Sequence, residues 1–160
     1  AMLKADLKNN EKAVNKCVTV NISQNMFDAL ISFSYNCGVS ALKGSTLLKK
    51  LNNKNYMGAA DQLLLWNKSG GHTIPSLTNR RATERMLFIK GYCDKPKGKI
   101  SKTTAKSSEV RWIQWKLGET IDGKWGDRTA AAIRKKRKTL GWAETNGYTC
   151  TANLIKALDK

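Results

Sequence analysis

Histidine is almost missing from this chain: among 160 residues there is one, His72. The four cysteines, Cys17, Cys37, Cys93 and Cys150, are scattered, and no two form a Cys-x-x-Cys pair. A zinc site draws its ligands in close-spaced His and Cys pairs, so a metal centre is not expected. The thiols read as buried or idle, with one or two disulfides open to them outside the cytosol. Long apolar runs are also lacking. None approaches the roughly 18 residues that a membrane span needs. No signal-peptide pattern opens the chain, and its first residues, Ala1 and Met2, read as a cloning scar or a cut end. Acidic residues are scarce, 12 against 29 basic, for a net charge of +17. A field of that sign favours polyanionic partners: nucleic acid, acidic membrane surfaces or anionic cell-wall polymers.

The apolar residues repeat at helical spacing. Leu3, Leu7, Val14 and Val18 mark an opening helix. Ser23 is placed to cap a second, carrying Met26, Phe27, Leu30, Ile31 and Tyr35, with Gly38 as its stop. Ser45 starts a short helix with Leu47, Leu48 and Leu51. Tyr56 to Trp66 holds another, with Ala59, Ala60, Leu63 and Leu64 inward. After the loop "KSGGHTIPS", Ser76 or Thr78 opens a helix with Ala82, Met86 and Ile89 on one face, ended by Gly91. No segment alternates convincingly at period two. The expected fold class is all-α.

The stretch "DKPKGKISKTTAKS", residues 94–107, is polar and Lys-rich without apolar periodicity, and reads as a linker. It divides the chain into residues 1–93 and 108–160. Through Asp94 the chain holds 13 basic and 6 acidic residues; from Lys95 it holds 16 and 6, so the smaller part is the more basic. That part reads as three helices: Glu109 to Leu117 capped by Ser108, Arg128 to Leu140 capped by Asp127, and one opened by Thr151 through Leu158. About 53 residues make a marginal core. Trp112, Trp115, Trp125 and Trp142 would supply large buried areas.

Two stretches carry a resemblance. "QNMFDALISFSYNCG", "STLLKKLN", "GAADQLLLW" and "LTNRRATERMLF", between Ala13 and Gly91, resemble the C-terminal lobe of phage-type lysozymes, the endolysin muramidases of glycoside hydrolase family 24. "VRWIQWKLGETIDGKWGDRTAAAI", from Val110 to Ile133, is similar to the three-helix peptidoglycan-binding modules at the ends of wall hydrolases. In such modules Asp122 and Gly123 turn the chain between helices, and Asp127 or Thr129 satisfies the first free N–H groups of the next. Trp125 lies in that corner. It either fills the small core or offers a platform to a sugar ring or peptide stem.

The first resemblance implies three glycan-facing positions. Asn36 matches a polar residue facing the glycan, and Gln62 falls near a second. Arg80 matches an Arg that pairs with the catalytic Glu. Each has an ordinary alternative: a helix-end Asn, a surface Gln, an Arg paired elsewhere. The family's catalytic Glu and its hairpin of the kind G-x-W-T-I-G-Y-G-H-T do not match any stretch here, and Ala1 aligns with the helix that follows that hairpin. Of the glutamates, Glu84 sits in "RRATER", where ion pairing would favour the ionised form and make a poor general acid. No catalytic residue is therefore assigned and no cofactor or metal is expected.

The resulting expectation is bacterial peptidoglycan recognition by a lysozyme fragment, inactive alone, acting at the cell wall. Its other partner would be the missing catalytic segment or the full-length parent. In the second part, Trp125 with Arg134, Lys135 and Lys138 are the expected contacts. Two further readings compete. Cys37 or Cys93 with His72 would form a nucleophile pair, but no third orienting residue accompanies it. "RKKRK", Arg134 to Lys138, would bind nucleic acid, but it lies in a predicted helix as a solvated face.

Overall fold

A computed structural model describes residues 2–160, with side chains from residue 6 onward. Ala1 and the Leu3 side chain lie outside the described residues. The chain forms two compact units, residues 1–90 and 91–160.

The first unit is built from α1 (Met2–Cys17), α2 (Gln24–Cys37), α3 (Val39–Gly44), α4 (Thr46–Asn52), α5 (Tyr56–Leu63) and α6 (Pro75–Ile89). Between α5 and α6 lie β1 (Lys68–Ser69) and β2 (His72–Thr73), an antiparallel pair with Lys68 opposite Thr73 and Ser69 opposite His72. Two residues per strand are too few to show alternation in a sequence. Ser23 caps α2 by accepting from the Met26 N–H, and Ser45 caps α4 by accepting from the Leu48 N–H. The core is apolar and continuous: Val14, Leu30, Phe33, Leu42, Leu47, Leu51, Leu63 and Phe88 are wholly buried.

Three expectations about this unit are corrected. First, α6 begins at Pro75, so Ser76 and Thr78 fall inside its first turn and neither caps it. Proline suits that position because its missing N–H would have no helical partner there. Second, α5 ends at Leu63, and Leu64 turns outward, 39% exposed. Third, the inward face of α6 carries Arg81, Glu84 and Phe88, while Met86 is 69% exposed and Ala82 is exposed too. Residues 81, 84 and 88 share one helical face as well as any apolar set does. A cation and an anion three residues apart can enter a core together because each offsets the other's desolvation.

The second unit contains β3 (Ile100–Ser101), α7 (Ser107–Leu117), α8 (Asp127–Thr139), β4 (Thr149–Cys150) and α9 (Ala152–Leu158). Residues 94–107 are not a free connection. Ile100 pairs with Cys150 and Ser101 with Thr149. Pro96 and Ile100 are buried, and the Asp94 N–H donates to the Ser108 carbonyl. The polar composition of this segment reflects one exposed edge of a built structure. α7 starts at Ser107, and its end is closed by Glu109, whose carboxylate accepts from the Lys106 N–H at 2.8 Å. Ser108 is thus within the helix and not its cap. α8 starts at Asp127 after Gly126, without a side-chain cap. Asp127 instead accepts from the Tyr148 hydroxyl, and Thr129 bonds Gln114. Trp112 and Trp125 are buried, whereas Trp115 and Trp142 are half-buried, with Lys116 and Arg137 over their respective rings.

The "IDGKWGDRT" corner is organised by Gln114, which is 2% exposed. Its amide NH2 donates to the Asp122 carboxylate, the Lys124 carbonyl and the Thr129 hydroxyl. Its oxygen accepts from the N–H groups of Asp122 and Gly123. One glutamine therefore holds both sides of the turn. Gly147 closes the unit from the other side. A Cβ there would stand 2.1 Å from the Ala130 carbonyl oxygen, and φ is +78°. Replacing Gly147 by Ala should cost at least ~1–3 kcal/mol for the left-handed backbone alone, with the overlap added. A thermal melt in which the Gly147→Ala chain matches the parent would contradict this close approach.

Because β3 and Pro96 belong to the second unit, a fragment of residues 91–160 should melt cooperatively by circular dichroism. A fragment of residues 108–160 should melt earlier and less sharply, having lost the strand that pairs with Cys150. Equal melting of the two fragments would show that the preceding segment contributes nothing.

Candidate functional site

In the first unit, α1, α2 and α6 enclose an open groove of about 370 Å³. α2 contributes Gln24, Phe27, Asp28, Ile31, Ser32 and Tyr35, α1 contributes Leu7 and Glu11, and α6 contributes Arg80. Behind it lies a buried pair of opposite charges. Arg81 is wholly buried and Glu84 is 3% exposed. The Arg81 guanidinium donates through Nη2 to the Asn36 amide oxygen at 2.8 Å and to Glu84 Oε1 at 3.1 Å. Through Nη1 it reaches the Cys37 sulfur at 3.0 Å. Its Nε lies 3.1 Å from Glu84 Oε2, an ion contact without hydrogen-bond alignment. Arg81 Cζ stands over the Phe33 ring, 5.2 Å from the ring centroid.

Glu84 is the centre of this network. Its Oε1 accepts from the Ser32 hydroxyl at 2.7 Å and lies 3.6 Å from Arg80 Nε. Ser32 and Arg80 both line the groove, so Glu84 holds two groove-lining side chains from beneath. Burial pushes the Glu84 carboxyl above the ordinary glutamate range, against the lowering effects of Ser32, Arg81 and Arg80. This corrects the expectation that pairing keeps Glu84 readily ionised: desolvation outweighs the cations. Glu84 is nevertheless buried beneath Ser32 and is not among the side chains that line the groove.

The structure brings Asn36 and Arg80 together through Arg81 and Glu84. Arg80 is paired with Glu84 and remains half-exposed, so it is not an unpaired charge. Gln62 is half-buried on α5, and no hydrogen bond joins it to this network among the described residues. The cluster itself escaped sequence reasoning, because Arg81 and Glu84 sit among four other charged or polar residues in "NRRATER". The spacing of residues 81, 84 and 88 was the available signal.

For Cys37 the nucleophile-pair reading finds no support in geometry. Cys37 is occupied by Arg81, and burial outweighs that guanidinium to push the thiol up, away from the thiolate a nucleophile needs. His72 is exposed on β2, with no bond to Cys37 among the described residues.

In the second unit Trp125 is 6% exposed, and its indole Nε1 donates to the Gly147 carbonyl at 3.1 Å. It is core, and the sugar-platform reading is corrected: the ring has no free face to offer. The surface beside it is a groove of about 320 Å³ whose walls include Thr120, Asp122, Lys124, Asp127 and Arg128. Arg134 donates to the Asn146 carbonyl at 2.8 Å and Arg137 to the Ala143 carbonyl at 3.0 Å, so both arginines of the basic run pin the loop that follows α8. Lys136, Arg137 and Lys138 also stand in the last turn, where cations offset the helix dipole. Lys135 and Lys138 are exposed.

Comparison with known proteins adds the following. The phage lysozyme family model matches residues 1–84. The endolysin of Bacillus phage B103 is 39% identical over 139 residues, covering 87% of this chain and 50% of that protein. The endolysin of Salmonella phage P22 is 48% identical over 88 residues, covering 55% of this chain and 60% of that protein. Among solved structures, the muramidase domain of SpmX from Asticaccaulis excentricus aligns with a TM-score of 0.51 at 36% identity, covering 54% of this chain and 61% of its own. A P22 lysozyme mutant aligns with the same TM-score at 47% identity, covering 54% of this chain and 59% of its own. The chain spans about half the length of the curated relatives it matches. A similarity of 139 residues cannot fit within residues 1–90, so the likeness to the B103 endolysin runs on into the second unit.

The direction of the Glu84 shift makes a test. A carboxyl raised in the folded state contributes stability that is fully present below its unfolded value and is lost as pH rises through the folded one. The stability advantage of the parent over Glu84→Gln should therefore be greatest in acid and shrink as pH climbs through the raised value. Melting temperatures across a pH series measure this. An advantage that grows with pH would mean that pairing with Arg81 outweighs burial.

Proposed function

The chain belongs to the phage lysozyme family, and from that premise we propose that it supplies the glycan-facing lobe of a peptidoglycan hydrolase, followed by a unit that holds the enzyme on the wall. The observation that carries the reading is the pair Asn36 and Arg80. Both are exposed, and both are anchored to one buried cluster beside a groove lined by Phe27, Ile31 and Tyr35. A sugar chain offers what such a surface takes: apolar ring faces and acceptor oxygens. The family likeness supports the substrate class, since the similar proteins are endolysins and a muramidase domain. Peptidoglycan at the bacterial wall is thus the partner. No helix among the described residues is long and apolar enough to cross a membrane.

Cleavage is a separate matter. Glycoside hydrolysis needs a protonated carboxyl at the glycosidic oxygen. Among the described residues Glu84 is the buried carboxylate raised toward protonation, and it is shut behind Arg81 and Ser32. Glu84 is therefore not assigned as the general acid, and the chain by itself is expected to bind wall material without cutting it. Gln62 remains a proposed edge contact of the same surface. Arg134, Lys135 and Lys138 were expected to act as one cationic patch. The attraction is now assigned to Lys135 and Lys138, because Arg134 is committed to the Asn146 carbonyl.

Sedimentation with insoluble peptidoglycan at two salt concentrations tests this, together with an assay for released reducing sugar. The chain should co-sediment and release no sugar above a heat-killed sample. Exposed cations raise encounter rates and are screened by salt. Lys135→Gln with Lys138→Gln should thus weaken retention several-fold at low salt and little at high salt. Failure of the parent to co-sediment at either salt would overturn the reading. Tighter retention on DNA than on wall material would transfer it to nucleic acid.

A further inference from the structure

From Arg128 to Ala143 the chain carries six basic residues and no acidic one. Their surroundings differ along α8. Arg128, at the start, follows Asp127 and stands 3.9 Å from Glu119. Arg134 and Arg137 hold carbonyls of the following loop. Lys135, Lys136 and Lys138 have no acidic partner among the described residues, and Lys135 and Lys138 are exposed. A carbonyl does not neutralise Arg134, so its charge adds to theirs. Residues 134 to 138 span only about 6 Å of helix axis. The helix dipole offsets about half a charge there. Glu144, the acid of the adjoining loop, pairs with none of them among the described residues. A concentrated positive excess therefore remains over one turn of α8.

The shape of this face says what it can hold. None of these cations lines the neighbouring groove, so a small anion would meet one or two lysines in open water. Such a pair is worth about 0–1 kcal/mol. A polymer that repeats its charge engages several cations at once and releases a counterion at each contact. Nucleic acid is such a polymer, but its single strands gain retention by stacking bases on open rings. The six aromatic rings of the second unit are committed. Trp112 and Trp125 are buried, and Tyr92, Trp115, Trp142 and Tyr148 each have a cation over the ring. We propose that the C-terminal turn of α8, through Lys135 and Lys138 with the added charge of Arg134, docks a wall polymer whose backbone is phosphodiesters joined by small polyols. This rests on the wall reading above and names the polymer that the second unit holds. A peptide stem mixes carboxylates with ammonium groups, whereas a polyphosphodiester is negative at every repeat and matches a face with charge but no free platform.

The test titrates the full chain with poly(glycerol phosphate) at two salt concentrations, with the melting temperature of every variant checked. Three cations in contact with a flexible polyanion predict that a fourfold rise in salt weakens the parent about twentyfold, and Lys135→Gln with Lys138→Gln only about threefold. At low salt that pair should also bind several-fold more weakly than the parent. Lys12→Gln with Lys16→Gln removes the same charge from exposed positions of α1 and should keep the parent's salt dependence. An equal loss in this control overturns the inference, because net charge alone would then suffice. A single-stranded oligonucleotide of equal phosphate number should bind no more tightly than poly(glycerol phosphate); tighter binding overturns the inference in favour of nucleic acid. A parent that holds peptidoglycan stripped of phosphate polymer but not poly(glycerol phosphate) also overturns it, and the wall reading stands. A parent that holds the polymer but not stripped peptidoglycan overturns the peptidoglycan reading while the contact on α8 stands.

Discussion

A guanidinium removed from water has to find its counter-charge and all its hydrogen-bond acceptors inside the fold. In the first unit Arg81 meets most of that demand with Glu84, Asn36 and Cys37, while its Nε faces Glu84 Oε2 without hydrogen-bond alignment. Losing one member of such a pair costs about 3–5 kcal/mol, because the other is left buried and uncompensated. The constraint therefore dictates how α2 and α6 pack. The end of α2 must bring Asn36 and Cys37 to the guanidinium, the middle of α2 must bring Ser32 to Glu84, and Phe33 must lie flat beneath. Shifting α6 by one residue would bury Ala82 and Arg85 and expose the pair. The groove-lining side chains inherit this rigidity, since Ser32 and Arg80 are both tied to Glu84.

The second unit answers the same constraint with a neutral side chain. Gln114 is buried on α7 and spends both donors and its acceptor on the turn that follows. Asp122 is drawn into the arrangement. The Lys124 N–H, and then the Gln114 amide, hold its carboxyl below the ordinary aspartate range. The turn needs Gly123 for its positive φ of 73°, and a Cβ there would crowd the Ser107 carbonyl at 3.2 Å. Trp125 then drops into the core with its indole N–H satisfied by Gly147. A tight loop around a tryptophan thus closes a small core, with the Trp125 ring inside it.

On the function proposed above, the two units would contribute by different physical means. The first offers a groove with apolar walls and anchored polar side chains, which acts at short range. The second offers exposed lysines on a strongly basic body, which act at the range of the Debye length and discriminate little. Many of its remaining cations are already engaged: Arg134 and Arg137 with carbonyls, Arg111 and Lys102 over tyrosines, Lys116 between tryptophans. Part of the high positive charge of the second unit thus also serves its structure.

Some of this was legible in the residues alone. Helical spacing of apolar residues set the fold class and most elements, because burying one face of a helix leaves a period that tertiary context does not erase. Serines at helix starts showed where α2 and α4 begin, since an unpaired N–H needs a nearby oxygen whatever the surroundings. Family-like stretches such as "LTNRRATERMLF" drew attention to α6, the helix that carries the buried Arg81 and Glu84. What the residues could not decide was direction. Whether Arg81 faces water or core, whether Trp125 is floor or platform, and whether residues 94–107 hang free or pair with Cys150 all depend on partners distant along the chain. Polarity predicts exposure only for a group considered singly. Burial of a charged group is a property of the set that compensates it, and that set exists only once α2 and α6 have met.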